Sequence, residues 1–596
     1  MIKFNRIIAI ELSLIFLLWL ASIWVSHPYF DRPLDAHHEW DMAHVLVSMR
    51  AYNEWGFWKL MGASVFLPHT REWLGTDIPQ KSVEINRIIA SATKASNMAV
   101  YLSSPSWYII FPYLIWKLIN LIPFINVPLS AFYLQCVQLI ISRLFTGIIL
   151  YYLFLEIIKI FIADEDKMHM QRALAFLGVT AWMLNPAVLY FTQNTFNGEK
   201  SFLGFIFAVF LMAVKCRFRF DALSKSGKTL LLILSFIVCG TTYYGWLSLA
   251  VIGLIVLIGD FFSRRSPANA SLPRSYVKTI LPMAAGAFAA WITFVAQLLY
   301  YRDGFRQLFE RFSFRTGAVY SSADPNVQLS IADVFHKITS YWDDFFPFGV
   351  IYGHEFSLGV IFLALAVIAY ILLAAKTKDK MFSLSVFCVI YILPACYILF
   401  LKQWSYVHDY SALLMSFPIV FGWVILPVLL AHRYKMTNYS MIFIALLVLF
   451  SASQSRNLSV QFAGNGSNIY REMGDIVARN AGQNNIMIAL PIHSVPKEVV
   501  ELSRKQANWT FLLMSPQAIW YADRYIYKID LLRKLISDGI LDIHIIKKMD
   551  PILIAFNANE KLDEQSAGIL KKNKLETKEE LGGLPVFLYH MKVVYK

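Results

Sequence analysis

The sequence predicts a mostly α-helical membrane protein that crosses the bilayer many times and ends in a small α/β domain. Of its 596 residues, 57% are hydrophobic and only 16% are charged, whereas soluble proteins have about 45–50% apolar and about 25% charged residues. Long apolar runs recur along the chain, and the composition becomes polar after residue 453. These features exclude a soluble enzyme, a disordered scaffold and a disulfide-stapled secreted domain.

The apolar runs predict about eleven membrane spans. The first run follows Lys3 and Arg6 directly and is long enough to cross, so we expect a retained signal anchor with a cytoplasmic N-terminus. The other ten runs are 131–160, 173–192, 199–216, 228–244, 246–262, 279–300, 356–375, 382–401, 411–431 and 437–453. Together they predict a transmembrane domain over residues 1–453.

The basic residues support this span count. Lys and Arg concentrate in alternate connections, as the positive-inside rule expects of cytoplasmic loops. The stretch 107–124 is also apolar, but counting it as a span would place the later basic loops outside. We therefore predict an interfacial or re-entrant helix there. An odd span count then places three long segments on the extracytoplasmic side of a plasma membrane, namely 27–105, 301–355 and the tail 454–596.

The tail 454–596 is predicted to be a separate domain. It alternates helix-like and strand-like segments and contains no cysteine, which predicts a small α/β unit. The net charge of the whole chain is +14. In a membrane protein an excess of Lys and Arg in the cytoplasmic loops is the first explanation of a positive net charge. We therefore expect no nucleic-acid partner.

Acids and histidines cluster in the first external loop. Asp35, His38, Glu39, Asp41 and His44 lie close together in the sequence, just after the first span. A helix beginning near Glu39 would place Asp41 and His44 on one face. A carboxylate held there can accept a proton from a hydroxyl, and a nearby histidine can orient it. A solvated, capped loop and a divalent metal site are the open alternatives, although no regular ligand spacing supports a metal.

A second polar segment lies between two predicted spans on the outer side. It begins at Lys402 and contains His408, Asp409 and Tyr410. A lysine and a histidine at this depth suit a phosphate whose lipid tail stays in the bilayer. The alternative is a short polar turn with a snorkelling lysine.

The middle loop carries Arg302, Arg306, Arg311 and Arg315 at helical spacing, against the positive-inside trend. These arginines can bind a phosphate or an anionic glycan, or they can pair with neighbouring acids and lipid headgroups.

The turn 194–200 places Glu199 at the start of a predicted span. A carboxylate is costly at this position unless it is used or is paired, and Lys200 is the adjacent cation.

These places resemble the signature positions of the GT-C class of membrane glycosyltransferases. The likeness is closest to the family-39-like enzymes, which include protein O-mannosyltransferases and the lipid A aminoarabinose transferase. Relatives carry H-x-W-R-Q-x-D-T before a helix with A-R-N and a closing E-G. The positions that keep this frame here are His38, Trp40, Asp41, His44, Arg50 and Gly56.

The first-loop motif also departs from the family pattern. Asp41 stands where relatives have Arg, and His44 stands where they have Asp. In another subgroup a D-E pair precedes the same helix, and its Asp falls on Asp41. The resemblance therefore leaves the base open among Asp35, Glu39 and Asp41.

Three more segments resemble the family. Relatives have P-D where this chain has Gly198-Glu199. Their H-D-Y-Y before a Pro-containing span is similar to His408-Asp409-Tyr410, and their Y-Y-A-D-R is similar to 520–524.

The resemblance implies an inverting glycosyltransferase that moves a sugar from a polyprenyl-phosphate donor to a hydroxyl of an extracytoplasmic glycan, lipid or protein. It implies no cofactor, and the divalent metal is the open alternative given above. One of the three acids would be the base, with His44 beside it. The implied substrate-binding residues are His38, Glu199, Arg302, Arg306, Lys402, His408, Asp409 and Tyr410.

Two other function classes are open. A transporter or flippase of lipid-linked sugars predicts acids inside the spans and paired repeats, whereas here the acids cluster in a loop and no repeat is visible. A glycan ligase or polymerase that uses a pyrophosphate carrier needs the same base and the same phosphate contacts as the transferase.

Overall fold

The structure of the protein is a computed structural model. It describes residues 2–27, 30, 34, 39–65, 100–102, 104–162, 167–264, 276–301, 304–316, 330–345, 358–375, 377, 379–407, 413–434, 442, 446, 449, 469–480, 487–489, 517, 520–521, 526–528, 552–556, 574–581 and 584–590.

Helices account for most of the described residues. In chain order they are α1 (Ile2–Ser26), α2 (Trp40–Ala51), α3 (Trp107–Ile119), α4 (Ala131–Phe161), α5 (Met168–Met183), α6 (Pro186–Asn194), α7 (Gly198–Ser201), α8 (Leu203–Lys215), α9 (Lys225–Thr241), α10 (Tyr243–Arg264), α11 (Tyr276–Tyr300), α12 (Gly304–Thr316), α13 (Ile331–Phe345), α14 (Leu358–Ala374), α15 (Lys380–Phe400), α16 (Lys402–Val407), α17 (Ser416–Tyr434) and α18 (Ile469–Asn480). Three π-helical turns are present among the described residues, at Tyr52–Gly56 directly after α2, at Leu139–Phe145 in α4 and at Cys388–Ile392 in α15.

Several helices are long and apolar enough to cross a membrane. Within the described ranges four pass on length and composition, namely Arg6–Ser26, Ala131–Phe161, Thr279–Tyr300 and Lys380–Phe400. The bent pair formed by α5 and α6 makes a fifth if it is one span. Shorter apolar helices fall on most of the other predicted runs. A membrane protein with several spans is thus supported, and the count of about eleven stays a prediction.

The predicted span 173–192 is broken in the middle. Helices α5 and α6 meet at 58°. Asn185 causes the break, since its side chain accepts hydrogen bonds from the backbone N–H groups of Ala187 and Val188 and so caps a new helix. Pro186 stands at the first position of that helix, where its missing N–H costs nothing.

Helix α3 is shorter than the stretch 107–124 predicted for it. Its 13 residues extend about 20 Å at 1.5 Å per residue, which is less than the roughly 30 Å of a bilayer core. Its interfacial or re-entrant placement stays a prediction.

Aromatic side chains of α4 and α17 meet in the main core. Phe154 stacks on Phe417 and Phe421, with ring centroids 5.8 and 6.1 Å apart. A second apolar cluster surrounds α2, whose residues from Asp41 to Met49 are all buried. Because α2 is covered on every side, the solvated-loop interpretation does not describe it.

A five-stranded sheet forms from the tail. Its strands are β3 (Met487–Ala489), β4 (Ile526–Lys528), β5 (Ile552–Phe556), β6 (Lys574–Leu581) and β7 (Leu584–His590), after the short antiparallel pair β1 (Ser64–Val65) and β2 (Val100–Tyr101) of the first loop. The order is β4-β3-β5-β7-β6, parallel from β4 to β5 and antiparallel beyond. The extent of a domain over 454–596 stays a prediction.

Candidate functional site

The centre of the candidate site is a buried ion pair between Asp41 and Lys200. The Lys200 Nζ atom lies 3.0 Å from Asp41 Oδ2, and the two residues are 2% and 5% exposed. Asn197 Nδ2 donates to the same carboxylate oxygen, also at 3.0 Å. Oδ1 accepts no hydrogen bond from the described part of the chain, so one oxygen is fixed and the other is available.

The turn before α8 brings both Asn197 and Lys200 to the Asp41 carboxylate. Asn197 caps the short helix α7 by accepting from the Lys200 backbone N–H at 3.1 Å, while its amide nitrogen reaches Asp41. Gly198 permits the close approach of this turn to α9, because a Cβ atom there would lie 1.9 Å from the carbonyl oxygen of Thr241.

Glu199 is not the partner of Lys200 that its position suggests. Lys200 pairs with Asp41, and Glu199 forms no ion pair with any described residue. Burial raises the pKa of Glu199 above its ordinary value, and the charge of Asp41 raises it further. The charges of Arg315 and Lys200 act in the opposite direction. Glu199 is thus a half-buried carboxyl whose neutral form is favoured.

Arg315 brings the middle loop to this site. Its guanidinium lies 5.7 Å from the ring centroid of Tyr243, at the start of α10, and its charge acts on both Glu199 and Tyr397. The Tyr397 hydroxyl is buried and makes no hydrogen bond within the described ranges. Arg315, Glu199 and Tyr397 therefore lie within electrostatic range of one another, and Glu199 is also within range of Asp41 and Lys200.

Lys402 begins α16, which packs against α12 and α13. Trp404 of α16 contacts Tyr397 edge to face, with ring centroids 5.8 Å apart. Phe312 of α12 lies the same distance from Phe400 at the end of α15. The half-buried Lys402 therefore lies in the same assembly of helix ends as Arg315 and Tyr397.

His44 and Glu39 lie beside Asp41 in the sequence but have other local roles. His44 Nε2 is 2.9 Å from Ser64 Oγ in β1. Orientation of an acid of the first loop by His44 stays a prediction. Glu39 is 1% exposed, and its carbonyl oxygen accepts from the N–H groups of Met42 and Ala43 to begin α2.

The tail also contacts the first loop. The Leu34 N–H donates to the Tyr521 hydroxyl at 2.7 Å, and the Arg50 guanidinium lies 5.5 Å from the ring centroid of Trp520. The 520–524 segment singled out in the sequence therefore begins with residues that pack on the loop carrying Asp41.

The predicted site residues divide into two groups. The charges of Asp41 and Glu199 act on each other, Lys402 begins the helix that packs against α12, and Arg306 is an exposed residue of α12, the helix that contributes Arg315. The predicted residues outside the described ranges are Asp35, His38, Arg302, His408, Asp409 and Tyr410. Within the described ranges, no three His, Cys, Asp or Glu side chains are arranged to hold a metal. The metal alternative stays untested, because Asp35 and His38 fall outside those ranges.

Sequence reasoning missed three residues of this region. Lys200 and Asn197 were visible in the turn, but nothing in the sequence indicates that they meet an acid far away in the chain. Arg143 is fully buried in the π-helical turn of α4. A single charge within a long apolar run is the signal that could have identified it.

Comparisons with known proteins concern the fold. The crystal structure of ArnT from Cupriavidus metallidurans bound to undecaprenyl phosphate is similar to this chain, with a TM-score of 0.52 and 8% sequence identity over 98% of both chains. The structure of the same protein in the apo state gives a TM-score of 0.43 and 10% identity, again over 98% of both. No protein-family model and no curated protein sequence matches the chain. The chain shares the ArnT fold, and at this identity the likeness extends to the fold alone.

Proposed function

We propose that the protein is a membrane glycosyltransferase that moves a sugar from a polyprenyl-phosphate donor to a hydroxyl of an extracytoplasmic acceptor. The observation that carries this proposal is the Asp41 carboxylate. One of its oxygens is held by Lys200 and Asn197, and the other has no partner among the described residues. Anchored in this way, the carboxylate has a fixed direction from which to accept a proton.

Asp41 is the proposed base. The acceptor hydroxyl gives its proton to Asp41 Oδ1 while its oxygen forms a bond to the anomeric carbon of the sugar. The bond from that carbon to the donor phosphate breaks, and its electron pair leaves with the phosphate oxygen. The products are a glycoside of inverted configuration and polyprenyl phosphate, so atoms and charge balance without a cofactor.

Cations near Asp41 are suited to stabilise the leaving phosphate. Arg315 and Lys402 lie on helices that pack together beside Glu199 and Tyr397. Charge-assisted hydrogen bonds are about twice as strong as neutral ones, and an apolar surrounding strengthens each contact further.

Two independent lines support the proposal. The sequence motifs resemble the GT-C enzymes, whose family-39-like members include the lipid A aminoarabinose transferase. The chain also shares the fold of an ArnT structure that contains undecaprenyl phosphate. A bound polyprenyl phosphate in that structure is the leaving group that our reaction requires.

Release of polyprenyl phosphate tests the function. The purified full chain is incubated in vesicles with polyprenyl-phosphate sugars of several kinds and with acceptor extracts, and the freed lipid phosphate is measured. We expect release with wild type and a loss of about 10²–10⁴-fold with Asp41→Asn. Glu156→Gln is the matched control, because Glu156 pairs with Lys159 on the half-exposed side of α4, away from the Asp41 cluster.

Two outcomes would contradict the proposal. Transbilayer movement of the intact lipid-linked sugar without release of polyprenyl phosphate would favour the flippase alternative. Transfer of a whole glycan with release of a pyrophosphate lipid would favour the ligase or polymerase.

A further inference from the structure

Arg143 is a buried cation that has no carboxylate partner among the described residues. It is 0% exposed and lies in the π-helical turn Leu139–Phe145 of the span Ala131–Phe161. Burying a charge is expensive unless hydrogen bonds replace its water. Within the described ranges Arg143 forms no ion pair, so neutral acceptors must hold the guanidinium.

All of these acceptors lie on two helices. The Arg143 bonds run from Nε to Thr192 Oγ1 at 2.8 Å, from Nη1 to Ser26 Oγ at 2.8 Å and to Ser22 O at 3.2 Å, and from Nη2 to Gln193 Oε1 at 3.2 Å and to Leu189 O. Ser22 and Ser26 are in the last turns of α1, and the other three residues belong to α6.

These two helices lead to the two halves of the Asp41–Lys200 pair. α1 ends at Ser26 and runs into the loop that carries Asp41. α6 ends at Asn194 and runs into the turn that carries Asn197 and Lys200. Arg143 thus joins the two supports of the ion pair, and the Gln193 amide adds a direct bond to Ser26 O at 3.2 Å.

Two neighbours of Arg143 hold the same turn from the other side. Gln138 Nε2 donates to the carbonyl oxygens of Phe191 and Thr195, at 3.1 and 2.6 Å. Ser142 Oγ donates to Ser201 O at 3.1 Å. One stretch of α4 therefore fixes both ends of the segment that presents Lys200.

We propose that Arg143 is a positioning residue for the Asp41–Lys200 pair, acting through α1 and α6. Its part in catalysis rests on the function proposed above, whereas its part in holding the pair does not. Only a planar guanidinium has five N–H groups in a rigid arrangement that can satisfy acceptors on two helices together. A lysine keeps the charge but cannot make all of these bonds.

Arg143→Lys tests the positioning role by the chemical protection of Lys200. Acetic anhydride is applied to the folded protein in detergent, and acetylation of each lysine is measured by mass spectrometry. We expect Lys200, 2% exposed in wild type, to become about tenfold or more reactive in the variant, as for loss of a charge-assisted bond. Lys159, with a 36% exposed side chain, should keep its reactivity.

Arg172→Lys is the matched control. Arg172 lies on α5 and pairs with Glu11 of α1, with Nε and Oε1 3.1 Å apart, so it also joins α1 to another helix. Among the described residues its ion pair is with Glu11, and not with a residue of α6 or of the turn that carries Lys200. This variant should leave Lys200 protected.

Turnover gives the second measurement. Arg143→Lys should lower kcat about tenfold to a hundredfold, as small misplacements of reacting groups do, while the KM for the donor changes less than about threefold. In an Asp41→Asn background the same change should lower kcat no further, because it acts through Asp41. A residue that merely stabilises the fold would lower the yield of active protein equally in both backgrounds.

Different experimental outcomes would overturn the positioning role of Arg143 and the proposed transferase function. Unchanged Lys200 protection in a folded Arg143→Lys protein would overturn the positioning role, as would an equal fall of kcat in both backgrounds. A wild type without transferase activity would overturn the function, and the acetylation result would still decide the role of Arg143. If Arg143→Lys does not fold, Thr192→Val decides instead, because among the bonds of Arg143 it removes only the one from Nε, together with the local bond from Thr192 Oγ1 to Val188 O. Protected Lys200 in that variant would overturn the proposal.

Discussion

Lys200 Nζ lies 3.0 Å from Asp41 Oδ2, although the two residues are 159 positions apart in the chain. Both are nearly inaccessible, so each charge depends on the other for its stability. The pair also sets the direction of the carboxylate, because Lys200 and Asn197 share one oxygen. A buried ion pair thus fixes the group to which the function assigns proton transfer.

The identity of the base is tested by comparing two acids. Asp41→Asn should lower kcat about 10²–10⁴-fold, since it removes the proton acceptor and keeps the shape. Glu39→Gln should keep most of the activity, because Glu39 is buried at the start of α2 and its backbone carbonyl makes the helix-initiating bonds. An inactive Glu39→Gln together with an active Asp41→Asn would reverse the assignment.

Loss of Lys200 should destabilise the fold through Asp41. We expect Lys200→Met to lower the free energy of unfolding by about 3–5 kcal/mol, because it leaves a buried carboxylate unpaired. Adding Asp41→Asn should recover a large part of this loss. Chemical denaturation of the single and double variants measures both values. Lys159→Met, which breaks a half-exposed pair with Glu156, should change stability by less than about 1 kcal/mol.

Gly198→Ala should distort the turn that holds Asp41. The new Cβ atom would meet the Thr241 carbonyl oxygen at 1.9 Å, and a backbone atom cannot yield without moving α9. We expect a loss of about 1–3 kcal/mol in stability, measured by thermal unfolding, together with reduced turnover. Gly227→Ala is the control, because its Cβ would find no atom closer than 3.4 Å. A tolerated Gly198→Ala would contradict the close approach.

The pH dependence of the protein's stability should reveal the titration of the Glu199 carboxyl group. Its folded-state pKa is raised above the ordinary value of 4.5, chiefly by burial. The stability this group contributes is therefore fully present below the unfolded-state pKa and is lost as the pH rises through the folded-state pKa. Wild type should accordingly lose Tm relative to Glu199→Gln as the pH increases above about 4.5. Parallel Tm curves for the two proteins would contradict the raised pKa.

Lys402 is expected to bind the donor phosphate. Lys402→Ala should reduce kcat/KM for the donor about tenfold to a hundredfold, as for a lost charge-assisted contact. Lys225→Ala is the control, because Lys225 is an exposed cation at the start of α9. If the two variants have equal donor kinetics, Lys402 serves only as a snorkelling lysine.

The apolar runs predicted helix bounds well where composition decides them. The run 131–160 became the helix Ala131–Phe161, and 382–401 became Lys380–Phe400, because burial in lipid requires an uninterrupted apolar stretch. The broken span was the exception. Asn185-Pro186 carries a helix-start signal that the overall apolar character of 173–192 obscured.

The site was harder to predict because its contacts are distant in the chain. Asp41, Glu199 and Lys402 each lie in a short polar segment between apolar runs, which made them visible. The pairing of Lys200 with Asp41 was not predicted, since only the fold brings α2 to the turn. The proposed role of Arg143 could not be anticipated either, because its partners are backbone, hydroxyl and amide oxygens, which leave no charge pattern.

The π-helical turn of α4 affects how this sequence should be aligned with related sequences. A turn of this kind contains more residues than an α-helical turn, and it leaves the Leu139 carbonyl oxygen free to accept from Trp19 Nε1 at 3.0 Å. Deleting one residue from Leu139–Phe145 would return this turn to regular α-helical winding, and the parts of the helix before and after it would keep their faces. A gapless alignment through this helix with a chain that lacks the turn would be out of phase by one residue on one side of it.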